Sequence, residues 1–249
     1  MNTWNFYLGH AGTELEIAGQ IARGLNDIHP RYAFLDCDGV LVQGVSGKDM
    51  IDYLHGNSLF DAEAYDSLMR EFERYRSGEI SQDEAVKILA DHYSRGVRGR
   101  RVEEVEEATE SAVSHVFLTP GAEDAMSRTR SAGIFRIILS ASPIEIVYQV
   151  ARKLHAVCFA ASAPLAEGLY TGEEPGFYMN SSSKGEIVDM FEKPLLAVGD
   201  SLGDRVMLER AARSVAFRPR DGLKGLAEEM GWLLFEGENL AECMELAGL

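Results

Sequence analysis

Cysteine is scarce in this chain. Cys37, Cys158 and Cys243 are the only three in 249 residues, they stand far apart, and no C-x-x-C occurs. An odd, scattered set supports neither a disulfide framework nor a zinc knuckle, and a reducing cytoplasm is the expected setting. Long apolar runs are missing too: nothing approaches the ~18 consecutive apolar residues of a membrane span. The first 25 residues carry Glu14 and Glu16 and show no basic-then-apolar layout, so no secretory leader is expected. Positive charge is short, with 24 Lys and Arg against 40 Asp and Glu and a formal charge of −16. Bulk attraction to nucleic acid or an anionic membrane is thereby disfavoured. A local basic pocket for an anionic ligand is not. No internal repeat or low-complexity tract stands out.

What is present is ordinary for a globular protein: 46% hydrophobic and 26% charged residues, enough for one sizeable domain or a core with a smaller insert. The stretch Tyr32-Ala33-Phe34-Leu35 reads as a strand buried on both faces. It runs into Asp36-Cys37-Asp38-Gly39-Val40. Side chains alternate along a strand, so continued extension would put Asp36 and Asp38 on one side and Cys37 on the other. In open parallel α/β sheets, ligands bind just outside the carboxyl ends of the strands. Two acids there suit a cation, nucleophilic or acid–base site. A strand-ending turn is the alternative, since Asp and Gly both favour turns. An EF-hand loop is disfavoured, because its glycine belongs at the sixth position of the loop and Gly39 is the fourth residue of this run.

The rest of the chain reads as follows. Glu14 to Ile28 is amphipathic, with Thr13 as N-cap and Pro30 as stop. After Val40 the pattern is helical for about seventy residues. Helices are expected over Lys48–His55, Asp61–Tyr75, Ser81–Tyr93 (opened by the capping box Ser81-Gln82-Asp83-Glu84) and Arg101–His115. Arg98, Arg100 and Arg101 form either a solvated loop or a substrate-facing basic patch. From Phe117 strands and helices alternate. Thr119-Pro120 is an N-cap followed by an N1 proline, and Gly133 closes that helix. Ile134–Leu139 is a strand, and Ser142-Pro143-Ile144-Glu145 is a capping box for a helix to Leu154. Val157–Ala161 is a short strand, 164–180 is turn and hairpin material, and Ser183-Lys184-Gly185-Glu186 opens a helix to Phe191. Leu195–Val198 is a strand ending in Gly199-Asp200-Ser201. Arg205–Ala212, Val215–Phe217, Leu223–Met230 and Trp232–Phe235 follow as helix, strand, helix and strand. Such alternation predicts a mostly parallel sheet covered by helices on both faces.

Polar residues cluster where that fold expects a site: Asp36 and Asp38, Ser140, Lys184 at a helix start, and Asp200 with Asp204. Ser142 as N-cap leaves Ser140 free. Lys184 at N1 would oppose the helix dipole, which hints at a nearby anion. Each residue alone has a bland reading as turn, cap or surface charge.

Together they resemble the haloacid dehalogenase-like superfamily of phosphohydrolases. Asp36-x-Asp38-Gly-Val matches its first motif, Ser140 its second, Lys184 its third, and Gly199-Asp200-Ser201-x-x-Asp204 its fourth. The resemblance covers about 31–249 and is closest to the phosphoserine-phosphatase-like branch. Tyr75-Arg76-Ser77-Gly78-Glu79-Ile80-Ser81, Leu139-Ser140-Ala141-Ser142-Pro143, Gly168-Leu169-Tyr170-Thr171-Gly172 and Gly231-Trp232 carry that likeness. It implies a Rossmann-like core over 31–45 and 117–249 and a helical type-1 cap over 46–116, and the amphipathic stretch ahead of the first strand makes 1–30 an N-terminal helical extension. It further implies Asp36 as nucleophile and Asp38 as general acid–base. Ser140, Ala141 and Lys184 would bind the phosphoryl group. Mg2+ would be held by Asp36, the Asp38 carbonyl and Asp200, with Asp204 in support. Where that branch holds the amino acid part of its substrate with a glutamate and an arginine, this chain aligns Val45 and Leu89. The expected activity is hydrolysis of a small-molecule phosphate ester in the cytoplasm by a monomer or homodimer, with no nucleic acid or membrane partner. Phosphotransfer or phosphomutation on the same phosphoenzyme, and non-catalytic binding on the same fold, are the alternatives.

Overall fold

The structure is a computed structural model and describes residues 14–26, 31–192 and 194–249. The first strand is the centre of the molecule. β1 (Tyr32–Asp36) is buried along its whole length. Ala33 and Leu35 face one core with Ile138 and Val198, while Tyr32 and Phe34 face a second core with Ile137, Leu139 and Ala197. Two-sided burial is what an apolar strand without alternation requires.

Around β1 lie β2 (Phe135–Pro143), β3 (Val157–Ala161), β6 (Pro194–Gly199), β7 (Arg213–Phe217) and β8 (Leu233–Phe235). They form one six-stranded sheet in the order β3-β2-β1-β6-β7-β8, with every pairing parallel. The predicted hairpin material holds a two-stranded antiparallel pair, β4 (Leu165–Ala166) and β5 (Leu169–Tyr170).

Helices cover both faces. On the second core lie α1 (Glu14–Asn26), through Ala18 and Ala22, and α8 (Ser181–Asp189), α9 (Arg205–Arg210) and α10 (Asp221–Met230). On the first core lie α6 (Ala122–Ser131), α7 (Ile144–Leu154) and α11 (Leu240–Leu246). Between β1 and β6 the chain reverses its direction of travel across the sheet. A crevice opens there, outside the strand ends.

The segment between β1 and β2 is helical, as its periodicity predicts: α2 (Ser46–Gly56), α3 (Ala62–Arg76), α4 (Gln82–Gly96) and α5 (Val102–Ala112), followed by a 3-10 turn to His115. Asp61 caps α3 by accepting from Ala64 N at 2.9 Å, and Ser81 caps α4 by accepting from Glu84 N at 3.3 Å. α4 runs past Tyr93 to Gly96, where the chain crosses the Phe60 ring so closely that a Cβ would lie 1.9 Å from it.

Three predicted helix starts are displaced. α6 begins after Gly121, in the left-handed conformation, and not after Thr119, whose carbonyl accepts from Ala122 N instead. α8 begins three residues earlier than its Ser183 box predicts, because Asn180 caps it by accepting from Ser183 N at 3.0 Å. Lys184 is therefore the fourth helical residue and not N1. β2 continues through Ser142 to Pro143, so Ser142 is a strand residue and not a cap. The Thr13 cap, the Pro30 stop and the last residues of the Glu14–Ile28 helix lie outside the described residues. None of the three cysteines is in a disulfide and all are buried. Among the described residues no helix is long and apolar enough to cross a membrane.

Candidate active site

The site is built at the crevice from three strand ends and one helix start. β1 ends on Asp36, which is buried. The chain then turns through Gly39 at φ +83°, and a Cβ there would lie 2.3 Å from Asp200 Oδ2. Only glycine has both the conformation and the room. β6 ends on Gly199, and a 3-10 turn from Leu202 places Asp204 beneath Asp200. Asp204 Oδ2 accepts from Asp200 N at 3.1 Å and Ser201 N at 3.2 Å. Asp204 Oδ1 accepts from Lys184 Nζ at 2.6 Å, and the same ammonium donates to Asp36 Oδ1 at 2.7 Å.

Asp36, Asp200 and Asp204 thus offer carboxylate oxygens all within 4.8 Å of one another, and all three are buried. Three carboxylates at that separation repel, and burial removes the water that would screen them. Burial first, then the neighbouring Asp204 charge, pushes Asp36 well above the ordinary carboxylate range. The same causes raise Asp200 to about 6, against the pull of Arg220. For Lys184, burial opposes the ammonium, but Asp204 and Asp36 outweigh it and raise its pKa. Lys184 and Arg220 only partly offset the acids. Asp200 Oδ1 is buried with no hydrogen-bond partner, although Oδ2 accepts from Arg220 Nε at 3.1 Å and Nη2 at 3.0 Å. A lone buried carboxylate oxygen within a cluster of hard oxygen donors fits a divalent cation such as Mg2+. Asp204, with both oxygens hydrogen-bonded, is left to hold the others in place.

Asp38 stands apart from that cluster and is half-buried. Its Oδ1 accepts from Ser46 N at 2.8 Å and Ser46 Oγ at 2.6 Å, and its Oδ2 accepts from Ser142 Oγ at 2.5 Å. Strand alternation does not place it, because β1 ends at Asp36 and the chain turns; only Cys37, inside the first core, points as expected. Ser142 reaches Asp38 because β2 bulges: Ser140 pairs with Ala160 and Pro143 with Ala161, leaving Ala141 and Ser142 outside the ladder. A bulge re-aims side chains at a sheet end. Ser140 Oγ accepts from Ser142 N at 3.1 Å, which pins the loop.

One cavity gathers Asp36, Asp38, Ser140, Ala141, Lys184 and Asp200, so the structure brings every predicted residue except the supporting Asp204 to its wall. It also gathers residues to which the sequence reading assigned no role in a site: Tyr75, Gln82, Ser201 and Arg220. Tyr75 Oη accepts from Arg220 Nη1 at 2.7 Å, and Gln82 Nε2 donates to Ser201 Oγ at 2.9 Å. A signal for Arg220 existed, since it sits at the N-cap of α10, where a cation is disfavoured unless an anion compensates. The Arg98–Arg101 cluster does not line the cavity. Arg98 packs over Gly172, Arg100 donates to the Ser58 carbonyl at 2.7 Å, and Arg101 pairs with Leu169.

A doubly wound parallel sheet with a buried carboxylate–lysine cluster at its switch point defines the class as an α/β protein with its acids gathered at the carboxyl ends of the strands. A model of the haloacid dehalogenase-like hydrolases matches residues 33–209, and the chain belongs to that family. The likeness read from the four motifs is borne out. Among curated proteins, a phosphoserine phosphatase of Archaeoglobus fulgidus is 27% identical over 199 residues, 73% of this chain and 56% of the relative. Another, of Methanocaldococcus jannaschii, is 27% identical over 130 residues, 49% of this chain and 62% of the relative. The matches thus span little more than half of each relative's length. Among solved structures, a protein of unknown function from Bordetella pertussis superposes with a TM-score of 0.68 at 22% identity, covering 82% of this chain and 97% of that one. A phospho-aspartyl intermediate analogue of phosphoserine phosphatase superposes at 0.65 with 19% identity, covering 86% and 97%. At those identities the structural likeness speaks to the fold.

Proposed function

We propose that the protein is a Mg2+-dependent phosphomonoesterase that hydrolyses a small phosphorylated metabolite through an aspartyl-phosphate. The observation that carries this reading is the separation of two carboxylates at one strand end. Asp36 lies beside an ammonium and the acidic cluster, whereas Asp38 lies among hydroxyls. Different surroundings allow different tasks. Asp36 attacks phosphorus, and the bond to the alcohol oxygen breaks as the Asp36–phosphorus bond forms. Asp38 delivers a proton to the departing alkoxide, then takes one from the water that opens the acyl phosphate, returning Asp36 as carboxylate and releasing phosphate. Ser140, the Ala141 backbone and Lys184 hold phosphoryl oxygens and offset the charge that develops there. Asp36, the Asp38 carbonyl and Asp200 would hold Mg2+, with Asp204 in support. The ion would neutralise charge between the carboxylates and a phosphate dianion. The helical segment 46–116 serves as the cap over the site, with Tyr75 from α3 and Gln82 from α4 reaching Arg220 and Ser201 at the crevice edge.

The test is release of inorganic phosphate from a panel of phosphorylated metabolites, with Mg2+ and with excess chelator. Turnover that appears with Mg2+ and vanishes on chelation is expected. Undiminished turnover in protein shown to be metal-free would contradict the reading.

A further inference from the structure

Resting on that reading, we infer that the leaving group is an uncharged, predominantly apolar alcohol, seated in a chamber that opens from the catalytic cavity beneath the helical segment. The chamber is walled by Ile51, Leu68, Phe72, Leu89, Tyr93 and Pro143. It shares Val45, Phe72, Leu89, Ala141 and Ser142 with the cavity that holds Asp36 and Lys184. The two adjoin across these shared residues, the one lined by polar groups and the other by apolar ones. A phosphate seated against Lys184 and Ser140 would direct its ester substituent across Val45 and Leu89.

The charges around this space are already committed. Lys48, the charged residue of the chamber, donates to Asp52 at 2.5 Å. Arg220 is engaged by Asp200 and Tyr75, and Lys184 by Asp36 and Asp204. The polar groups that α3 and α4 bring to the catalytic cavity are committed as well. Tyr75 accepts from Arg220, and Gln82 pairs with Ser201 Oγ and accepts from Gly203 N at 2.9 Å. Val45, Phe72, Ala85, Val86 and Leu89 remain to meet the substituent. An ammonium or carboxylate placed against them would lose water and gain no partner, a strongly unfavourable transfer. Methylenes placed there gain from leaving water. A zwitterionic leaving group such as serine is therefore rejected, and alkyl or arylalkyl monophosphates are accepted.

The experiment measures kcat/KM for methyl, butyl, hexyl and benzyl phosphates and for phosphoserine on the Mg2+-loaded full chain. Calorimetry of the matching non-hydrolysable alkylphosphonates accompanies it. The expected result is a rise of about fourfold per added methylene until the chamber is filled, equivalent to ~0.8 kcal/mol each. Phosphoserine should fall roughly a hundredfold or more below hexyl phosphate, an ester of similar size. Leu89→Asn should flatten the chain-length series by lowering hexyl phosphate more than methyl phosphate, whereas a structural loss would lower both alike. Cleavage with a flat series, or with phosphoserine the best ester, would overturn the inference and leave the catalytic reading intact. Phosphonates that tighten with chain length while no ester is cleaved would instead overturn the catalytic reading and support the chamber as an apolar binding site.

Discussion

At the scale of single residues, the site is a balance of buried charges. The carboxylates Asp36 and Asp200 are both raised, by burial first and by Asp204 next, and Asp200 reaches about 6. A carboxylate raised on folding keeps a proton that the unfolded chain has released, so stability falls as pH climbs from the ordinary carboxylate range to the folded value. The metal-free protein should accordingly lose stability as pH rises through about 6, and bound Mg2+, which requires the deprotonated acids, should restore more stability as pH rises. Denaturant unfolding with chelator and with Mg2+ at pH values from about 4.5 to about 7.5 checks this; equal stabilisation by Mg2+ at both ends would contradict it. Gly39 tests the geometry. Gly39→Ala would push its Cβ into Asp200, so Mg2+ affinity should fall by roughly tenfold or more in calorimetry, as for a disturbed supporting contact of a metal site. Unchanged affinity would show that Asp200 can move aside.

At the scale of elements, the cap reading makes its own prediction. Tyr75 from α3 and Gln82 from α4 join the helical segment to Arg220, Ser201 and Gly203. Tyr75→Phe with Gln82→Ala should loosen that closure and raise KM several-fold, with less than about 1 kcal/mol lost in unfolding stability, because exposed or part-exposed hydrogen bonds contribute little net. A pure loss of stability with unchanged kinetics would make these contacts structural only. The elements themselves were largely legible. β1 and β3 follow from apolar runs, α3 from its helical periodicity, and α4 from the Ser81 capping box, whose cap the structure shows in place. Helix starts were less so, because several polar residues compete locally. Ser183 resembles a cap, yet Asn180 wins; Ser142 resembles one, yet a bulge turns its hydroxyl to Asp38. The seven-residue α11 escaped because two turns carry too little periodicity to register.

At the scale of the whole molecule, the sheet order explains why residues 36, 140, 184 and 200 meet. Motifs over a hundred residues apart converge because β1, β2 and β6 are neighbours and α8 starts at the same edge. Strand–helix alternation, with motifs at three strand ends and one helix start, made that convergence readable in advance. Contacts between the helical segment and the core were not readable. Arg220 with Tyr75, and Gln82 with Ser201, are pairs that no periodicity encodes.

The central claim is that Asp36 carries the phosphoryl group and Asp38 moves the protons. Asp36→Asn should abolish turnover and the phosphoenzyme, since an amide is a poor nucleophile. Asp38→Asn should lower turnover by roughly 10²–10⁴-fold, more for an alkyl ester than for a nitrophenyl ester, whose leaving group needs no proton. Rapid acid quench of Asp38→Asn with a labelled aryl phosphate, followed by peptide mapping, measures both roles at once. The account predicts accumulated label on Asp36; label on another residue, or equal losses for alkyl and aryl esters, would contradict it.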